Sequence, residues 1–193
     1  MNSNMKVITI SGKAEHGKDT AAKSIKNRLE SMGYSVLICH YADLLKYICK
    51  QFFSWDGKKD EEGRSLLQIV GTETIRKKEP EFWVDFIAKI LELFPDEWDF
   101  VLIPDTRFPN EIDSMKKKFG TVSVRVVRPN FENHLTEEQR KHESETALDK
   151  YKFDYEIINP GTDELETEVE MFVNEIFQHE IKKSLKDVIK EKL

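Results

Sequence analysis

An apolar run, Val7-Ile8-Thr9-Ile10, leads into Gly12-Lys13-Ala14-Glu15-His16-Gly17-Lys18-Asp19-Thr20, and a helical pattern opens near Lys18. A strand, a glycine loop ending in Gly-Lys, then a helix narrows the fold more than any other stretch here. Loop N–H groups can form an anion nest. The helix N-terminus adds unpaired N–H groups and the positive end of its dipole. Lys18 is placed to reach outer phosphates, so residues 12–20 read as a nucleotide-phosphate site. A hydroxyl is usual after the Lys, to touch Mg²⁺. Here Asp19 stands there and Thr20 comes one later. A carboxylate is also a hard oxygen ligand. The plainer reading is a tight turn with Asp19 as a first-turn acid favoured by the dipole.

The rest of the chain alternates strands and helices. Residues 6–11 read as a central strand, 18–32 as a helix closed by Gly33, and 35–40 as a second strand. A helix over 41–53 follows. Asp43 is either its N-cap or a ligand group at the end of a parallel strand, and Lys46 faces the same crevice or solvent. Residues 54–63 look like a mobile surface loop. Helical periodicity over 64–78, interrupted at Gly71, carries Gln68 and Arg76. Pro80 precedes an amphipathic helix over 81–94, whose Phe86, Ile87, Ile90 and Phe94 read as core, with Trp83 the best candidate to stack on a base.

A third strand over 99–104 runs into Asp105-Thr106-Arg107-Phe108-Pro109-Asn110-Glu111. An acid at such a strand end can hold a magnesium shell, and Arg107 would project into the same crevice. The plainer alternative is a strand-to-helix turn with Pro109 near the first helical position. A helix over 110–119, a strand over 121–127 and a second strand-terminal arginine, Arg128, come next. Residues 129–149 form the natural lid, or else a solvated helical excursion. A fifth strand over 153–158 and a long amphipathic helix from Asp163 complete the pattern, with a Lys-rich tail. Five strands alternating with helices imply a doubly wound, three-layer α/β domain. The strand ends at 12, 41, 105 and 128 then share one edge of a parallel sheet.

At 193 residues the expectation is a single domain, and a net charge of −6 argues against nucleic acid or an anionic membrane as partner. Anionic substrates would need a local basic cluster. Cys39 and Cys49 read as small buried residues of a reducing compartment, and no zinc-like spacing occurs. No signal-peptide or membrane-span pattern is visible, so the sequence is read as cytoplasmic.

The strings Gly12 to Thr20, Tyr41-Ala42-Asp43 with Leu45-Lys46, Leu67-Gln68 with Gly71-Thr72-Glu73 and Arg76, Asp105 to Glu111, and His142-Glu143-Ser144-Glu145 resemble the deoxynucleoside monophosphate kinases of bacteriophages. These are a branch of the P-loop nucleoside monophosphate kinase superfamily. The similarity runs in order over residues 6–175. It implies an α/β/α P-loop kinase fold with a five-stranded parallel sheet and ATP and Mg²⁺ as cofactors. It also implies phosphoryl transfer from ATP to a (deoxy)nucleoside monophosphate. The core would comprise 6–50, 81–128 and 150–178, with a mobile acceptor-binding region about 43–80, a lid about 129–149 and a tail at 179–193.

Residue by residue, the resemblance implies that Gly12, Lys13, Ala14, Glu15, His16, Gly17, Lys18, Asp19 and Thr20 bind ATP, with Arg128 and His142 from the lid side. Asp43, Lys46, Gln68, Arg76, Trp83, Asp105 and Arg107 would receive the acceptor, the last two from between the two phosphate chains. Lys18, Asp105, Arg107 and Arg128 would serve the transfer, and Asp19, Thr20 and Asp105 the metal. Glu15 departs from the basic residues that relatives often carry and is expected to point to solvent. The tail from Ile181 offers a face for a homodimer. Competing expectations are a P-loop kinase of another metabolite, such as phosphomevalonate, and a non-catalytic nucleotide-binding regulator. No Asn-Lys-x-Asp string supports a guanine-nucleotide switch.

Overall fold

The computed structural model describes residues 5–161 and 164–191, with side chains as far as Gln178. Strand β1 (Lys6–Ser11) leads through the glycine loop into α1 (Lys18–Ser31), then β2 (Val36–Ile38) and α2 (Tyr41–Phe52). Helix α3 (Glu61–Gln68) continues without a break into a π-helix (Ile69–Arg76), followed by α4 (Phe82–Leu93), β3 (Phe100–Thr106) and α5 (Pro109–Phe119). Strand β4 (Val122–Val127), the short α6 (Glu137–Lys141) and α7 (Glu143–Thr146), β5 (Tyr155–Ile158) and α8 (Glu164–Glu191) complete the order.

All five strands are parallel, in the order β2-β3-β1-β4-β5. Strand β1 is central because it is apolar on both faces, and a parallel strand covered by helices on both sides needs that. Ile8 and Ile10 face α1 and α8, in one core with Phe100, Leu102, Val124 and Val126. Val7, Val101 and Ile103 face the other way, onto Tyr41, Val84, Ala88 and Met115. The first half of α8 packs on the sheet through Leu165, Val169, Phe172, Val173 and Ile176. Strands β3 and β4 flank β1, so the crevice at their carboxyl ends is where α/β sheets bind ligands.

Several boundaries differ from expectation. The second strand is shorter, because His40 is already the N-cap of α2; Asp43 lies in that helix's first turn and does not cap it. Residues 54–63 are not simply a surface loop. Trp55 is buried and its Nε1 donates to the Lys58 carbonyl at 2.9 Å, while Asp60 caps α3 by accepting from Gly63 N–H at 2.9 Å. Gly71 does not interrupt the helix. It sits inside the π-helix against Leu45, whose Cδ2 would lie 2.6 Å from an added Cβ. Phe86, Ile90 and Phe94 are exposed, so only part of the α4 stripe is core.

The expected helix start at Asp163 lies outside the described residues, as do residues 1–4 and the side chains of the 179–193 tail. Among the described residues, no helix is long and apolar enough to cross a membrane.

Candidate active site

The glycine loop is shaped by close approach. Gly12 has φ 149°, and a Cβ there would meet the Val126 carbonyl oxygen of β4 at 2.4 Å. Gly17 has φ 87°, with the Asn159 amide 2.2 Å from a would-be Cβ. Asn159 is buried and donates to the His16 carbonyl at 2.9 Å, so β5 braces the loop from below. Lys18 is buried and folds back over the loop. Its Nζ donates to the carbonyls of Gly12 at 2.9 Å and Lys13 at 2.8 Å. Burial, and then the Arg107 charge, bring its pKa down to about 7.

At the end of β3, Asp105 accepts from two N–H groups of the α2 N-terminus, Tyr41 at 3.0 Å and Ala42 at 2.8 Å. Burial raises its pKa despite those bonds. Two residues on, Arg107 Nη1 pairs with Glu145 of α7 and approaches the Ser144 carbonyl at 3.5 Å. The other Glu145 oxygen accepts the Ala14 N–H at 3.0 Å, and Lys13 Nζ reaches the Glu145 carbonyl at 2.6 Å and the Asp149 carboxylate. The 129–149 segment is therefore docked on the glycine loop.

Opposite, Arg76 is 9% exposed at the end of the π-helix. It pairs with Glu111, donates to Asn110 Oδ1 at 2.9 Å, and stacks on Phe108 with Cζ 3.8 Å from the ring centre. Burial pushes Glu111 up to about 7, opposed by Arg76.

These groups line one open-sided cavity of about 770 Å³. Ala14, Glu15, Lys18 and Asp19 line it from the loop side, Asp105 and Arg107 from β3, and Lys46, Gln68, Arg76 and Trp83 from the far side. Gly12 and Lys13 border a small adjoining space with Arg125. Gly17 instead caps α1, and Thr20 is exposed. Asp43 instead pairs with Lys46 at 2.8 Å. His16 turns its Nδ1 to the Arg128 N–H at 3.1 Å, and the Arg128 guanidinium lies over Phe131 at 4.0 Å. His142 Nδ1 bonds Ser144, and its Nε2 stands 3.6 Å from Glu73 of the π-helix. Neither Arg128 nor His142 lines the cavity. Trp83 lines the cavity but has little surface to stack on: it is 4% exposed and its Nε1 donates to the Gly71 carbonyl at 3.2 Å.

Glu15 is not simply solvated. It accepts from His134 at the backbone and at Nδ1, and lies 3.6 Å from Arg64. It thereby joins the loop to the segment over 129–149 and to α3.

Three side chains of the site were not singled out from the sequence. Glu111 occupies the capping position three residues after Phe108, a visible signal that the buried ion pair turns to another use. Glu145 closes the His-x-Ser-Glu string. His40 bridges Asp19, at 2.9 Å, and Asp43, at 3.3 Å; the Asp19 bond raises its pKa and lowers that of Asp19.

A glycine loop after the central strand, a buried lysine folded onto it, and an Asp-x-Arg strand end beside it on an all-parallel sheet define the P-loop kinase class of fold. The solved structure of shikimate kinase from Bacteroides thetaiotaomicron has this fold in common with the chain: TM-score 0.52 at 16% identity, over 90% of this chain and 98% of that one. The family model described as deoxynucleotide monophosphate kinase matches residues 39–169, and the chain belongs to that family. The protein of Enterobacteria phage T4 named deoxynucleotide monophosphate kinase is 32% identical over 101 residues, 51% of this chain and 39% of that protein. An Ictalurid herpesvirus 1 (strain Auburn) protein named ORF77 is 37% identical over 101 residues, 51% of this chain and 42% of that protein. The chain thus matches about two fifths of the length of each of these relatives.

Proposed function

We propose that the protein transfers the γ-phosphoryl group of ATP directly to a (deoxy)nucleoside monophosphate, giving ADP and a nucleoside diphosphate. The observation that carries this is the continuity of the cavity. One continuous crevice, open on one side, runs from Lys18 and the glycine loop, past Arg107, to Arg76 and Gln68. A donor on the loop and an acceptor against Arg76 would then point their phosphates at each other. Family membership and the name of the phage T4 relative agree with this reading.

Phosphoryl transfer asks for alignment and charge stabilisation and needs no covalent intermediate. The loop N–H groups and the α1 N-terminus would hold the donor phosphates, with Lys18 on the outer oxygens. Arg107, from the strand end, would steady the transferred group. Arg76 would hold the acceptor phosphate, an anion already at neutral pH. The docked lid segment would keep water from the reacting phosphate.

Mg²⁺ binds through one or two carboxylates plus substrate phosphates, so it needs no all-protein cage. Asp19 and Asp105, both on the cavity wall, fit that donor set, whereas Thr20 does not line the cavity. The ion would neutralise phosphate charge during transfer.

The test is ADP release, coupled to a reporter, with the full set of ribo- and deoxyribonucleoside monophosphates and with phosphomevalonate. Turnover of at least one nucleoside monophosphate is expected. Turnover of phosphomevalonate alone, or tight ATP binding without transfer to any acceptor, would overturn the reading.

A further inference from the structure

Among the groups that line the cavity is a nearly buried carboxylate, Glu111, that holds two of the others. We propose that Glu111 is a positioning residue for the acceptor phosphate: it sets Arg76 and Arg107, from two separate segments, in the geometry that receives that phosphate. The proposal rests on the phosphoryl-transfer reading above and adds to it a residue that contacts neither substrate.

A helix cap alone does not account for this side chain. The Glu111 carboxylate sits at the start of α5, where one oxygen accepting from the Phe108 N–H would complete a capping box. That oxygen takes the Phe108 N–H at 3.1 Å and also the Arg107 N–H at 2.6 Å, fixing the backbone from which the Arg107 side chain departs. The second oxygen is spent on Arg76 Nη2, which arrives from the π-helix. Glu111 is 3% exposed and the Arg76 side chain 10%, so the pair is held away from water. Burying such a pair is costly unless hydrogen bonds satisfy both partners, and these bonds do so.

Arg76 is held on further sides. Its Nη1 donates to Asn110 Oδ1 at 2.9 Å and to the Pro80 carbonyl at 3.4 Å, and its face lies on the Phe108 ring. A guanidinium carries more N–H donors than these three bonds use. The remainder are what an incoming phosphate can take, in a direction Glu111 has set. The same carboxylate therefore indexes both arginines, and a shift in one would be shared by the other.

The experiment uses the full chain and a monophosphate that the wild type turns over; wild-type turnover establishes the reaction independently of Glu111. Glu111→Gln keeps the volume and a capping oxygen but removes the negative charge that faces Arg76. Its KM for the monophosphate is expected to rise about tenfold or more, the worth of a charge-assisted hydrogen bond, with KM for ATP nearly unchanged. Glu111→Asp, which retains the charge with a shorter reach, should recover part of the loss. Calorimetric binding of the monophosphate without ATP should show the same ordering, and a thermal melt reports whether each variant is folded. In an Arg76→Ala background, Glu111→Gln should add little to the monophosphate KM. Equal changes in both KM values, an unchanged monophosphate affinity in folded Glu111→Gln, or independent effects of the two substitutions would overturn the positioning role.

Discussion

Lys18 shows how a single side chain can be tuned by its surroundings. Its pKa of about 7 reflects burial first and the Arg107 charge second, with Glu145, Asp19 and Asp105 acting in the opposite direction. The folded value lies below the unfolded value of 10.5, so the unfolded chain holds more protons between the two. The lysine's charge therefore costs stability in full below about pH 7, and that cost fades as pH rises toward the unfolded value. Removing the side chain relieves the cost, so Lys18→Ala should fold and melt near the wild type. Its turnover should fall on the order of 10²–10³-fold or more, the usual loss for one preorganised charge-stabilising donor. Donor phosphates favour the ammonium form. At pH 8, ATP binding is thus expected to take up a substantial part of a proton, read by calorimetry in buffers of different ionisation enthalpy. Lys18→Ala should lose that uptake; an uptake that persists in the variant would remove Lys18 from the phosphate site.

Among the elements, the segment over 129–149 buries Leu135 and Leu148 but meets the glycine loop through polar contacts. Glu145 grips the Ala14 N–H and Arg107, Lys13 reaches back to Asp149, and His134 meets Glu15. Few of these are buried, so the segment belongs to the less stable part of the molecule. Glu145→Ala should speed amide exchange in α6 and α7 while leaving β1, β3 and β4 protected; unchanged exchange in α6 and α7 would show that other contacts hold the lid. The strands and α1 were readable because each is a continuous apolar run or a clean helical stripe, as Val7 to Ile10 and Ala21, Ala22, Ile25 and Leu29 illustrate. The π-helix was not readable, since an eight-residue stretch of i→i+5 bonds is too short to establish a period of its own, and no residue type marks it. Phe86, Ile90 and Phe94 were over-read because the apolar stripe of α4 is wider than the arc the sheet covers. The loop, Asp105 and Arg107 could be found from local order along the chain. The pairing of Glu111 with Arg76 and of Glu145 with Arg107 could not, because sequence states which charges exist and not which ones meet.

Over the whole molecule, a chain of net charge −6 presents a cavity lined by seven Lys/Arg and five Asp/Glu side chains. Basic side chains are therefore concentrated locally in the crevice, where parallel strands deliver their ends to one edge. The cavity wall draws on the glycine loop, the α3 and π-helix segment, and α6 to α7, which meet the sheet at different points and contact one another through Glu15, Arg64, His134, Glu73 and His142. Two ligands bound together should tie these segments down more than either alone, because ordering by the first lowers the cost for the second. A ligand at a hundred times its Kd stabilises by about 2.7 kcal/mol, which for a domain of this size raises Tm by about 5–11 °C. A non-hydrolysable ATP analogue with Mg²⁺, combined with the monophosphate that is turned over, should raise Tm beyond the sum of the separate shifts. Lys18→Ala should lose the shift from the analogue and keep that from the monophosphate, since the acceptor end of the cavity is built from other elements. Loss of both shifts in that variant would mean that donor and acceptor share one subsite, and the two-ended cavity would not stand.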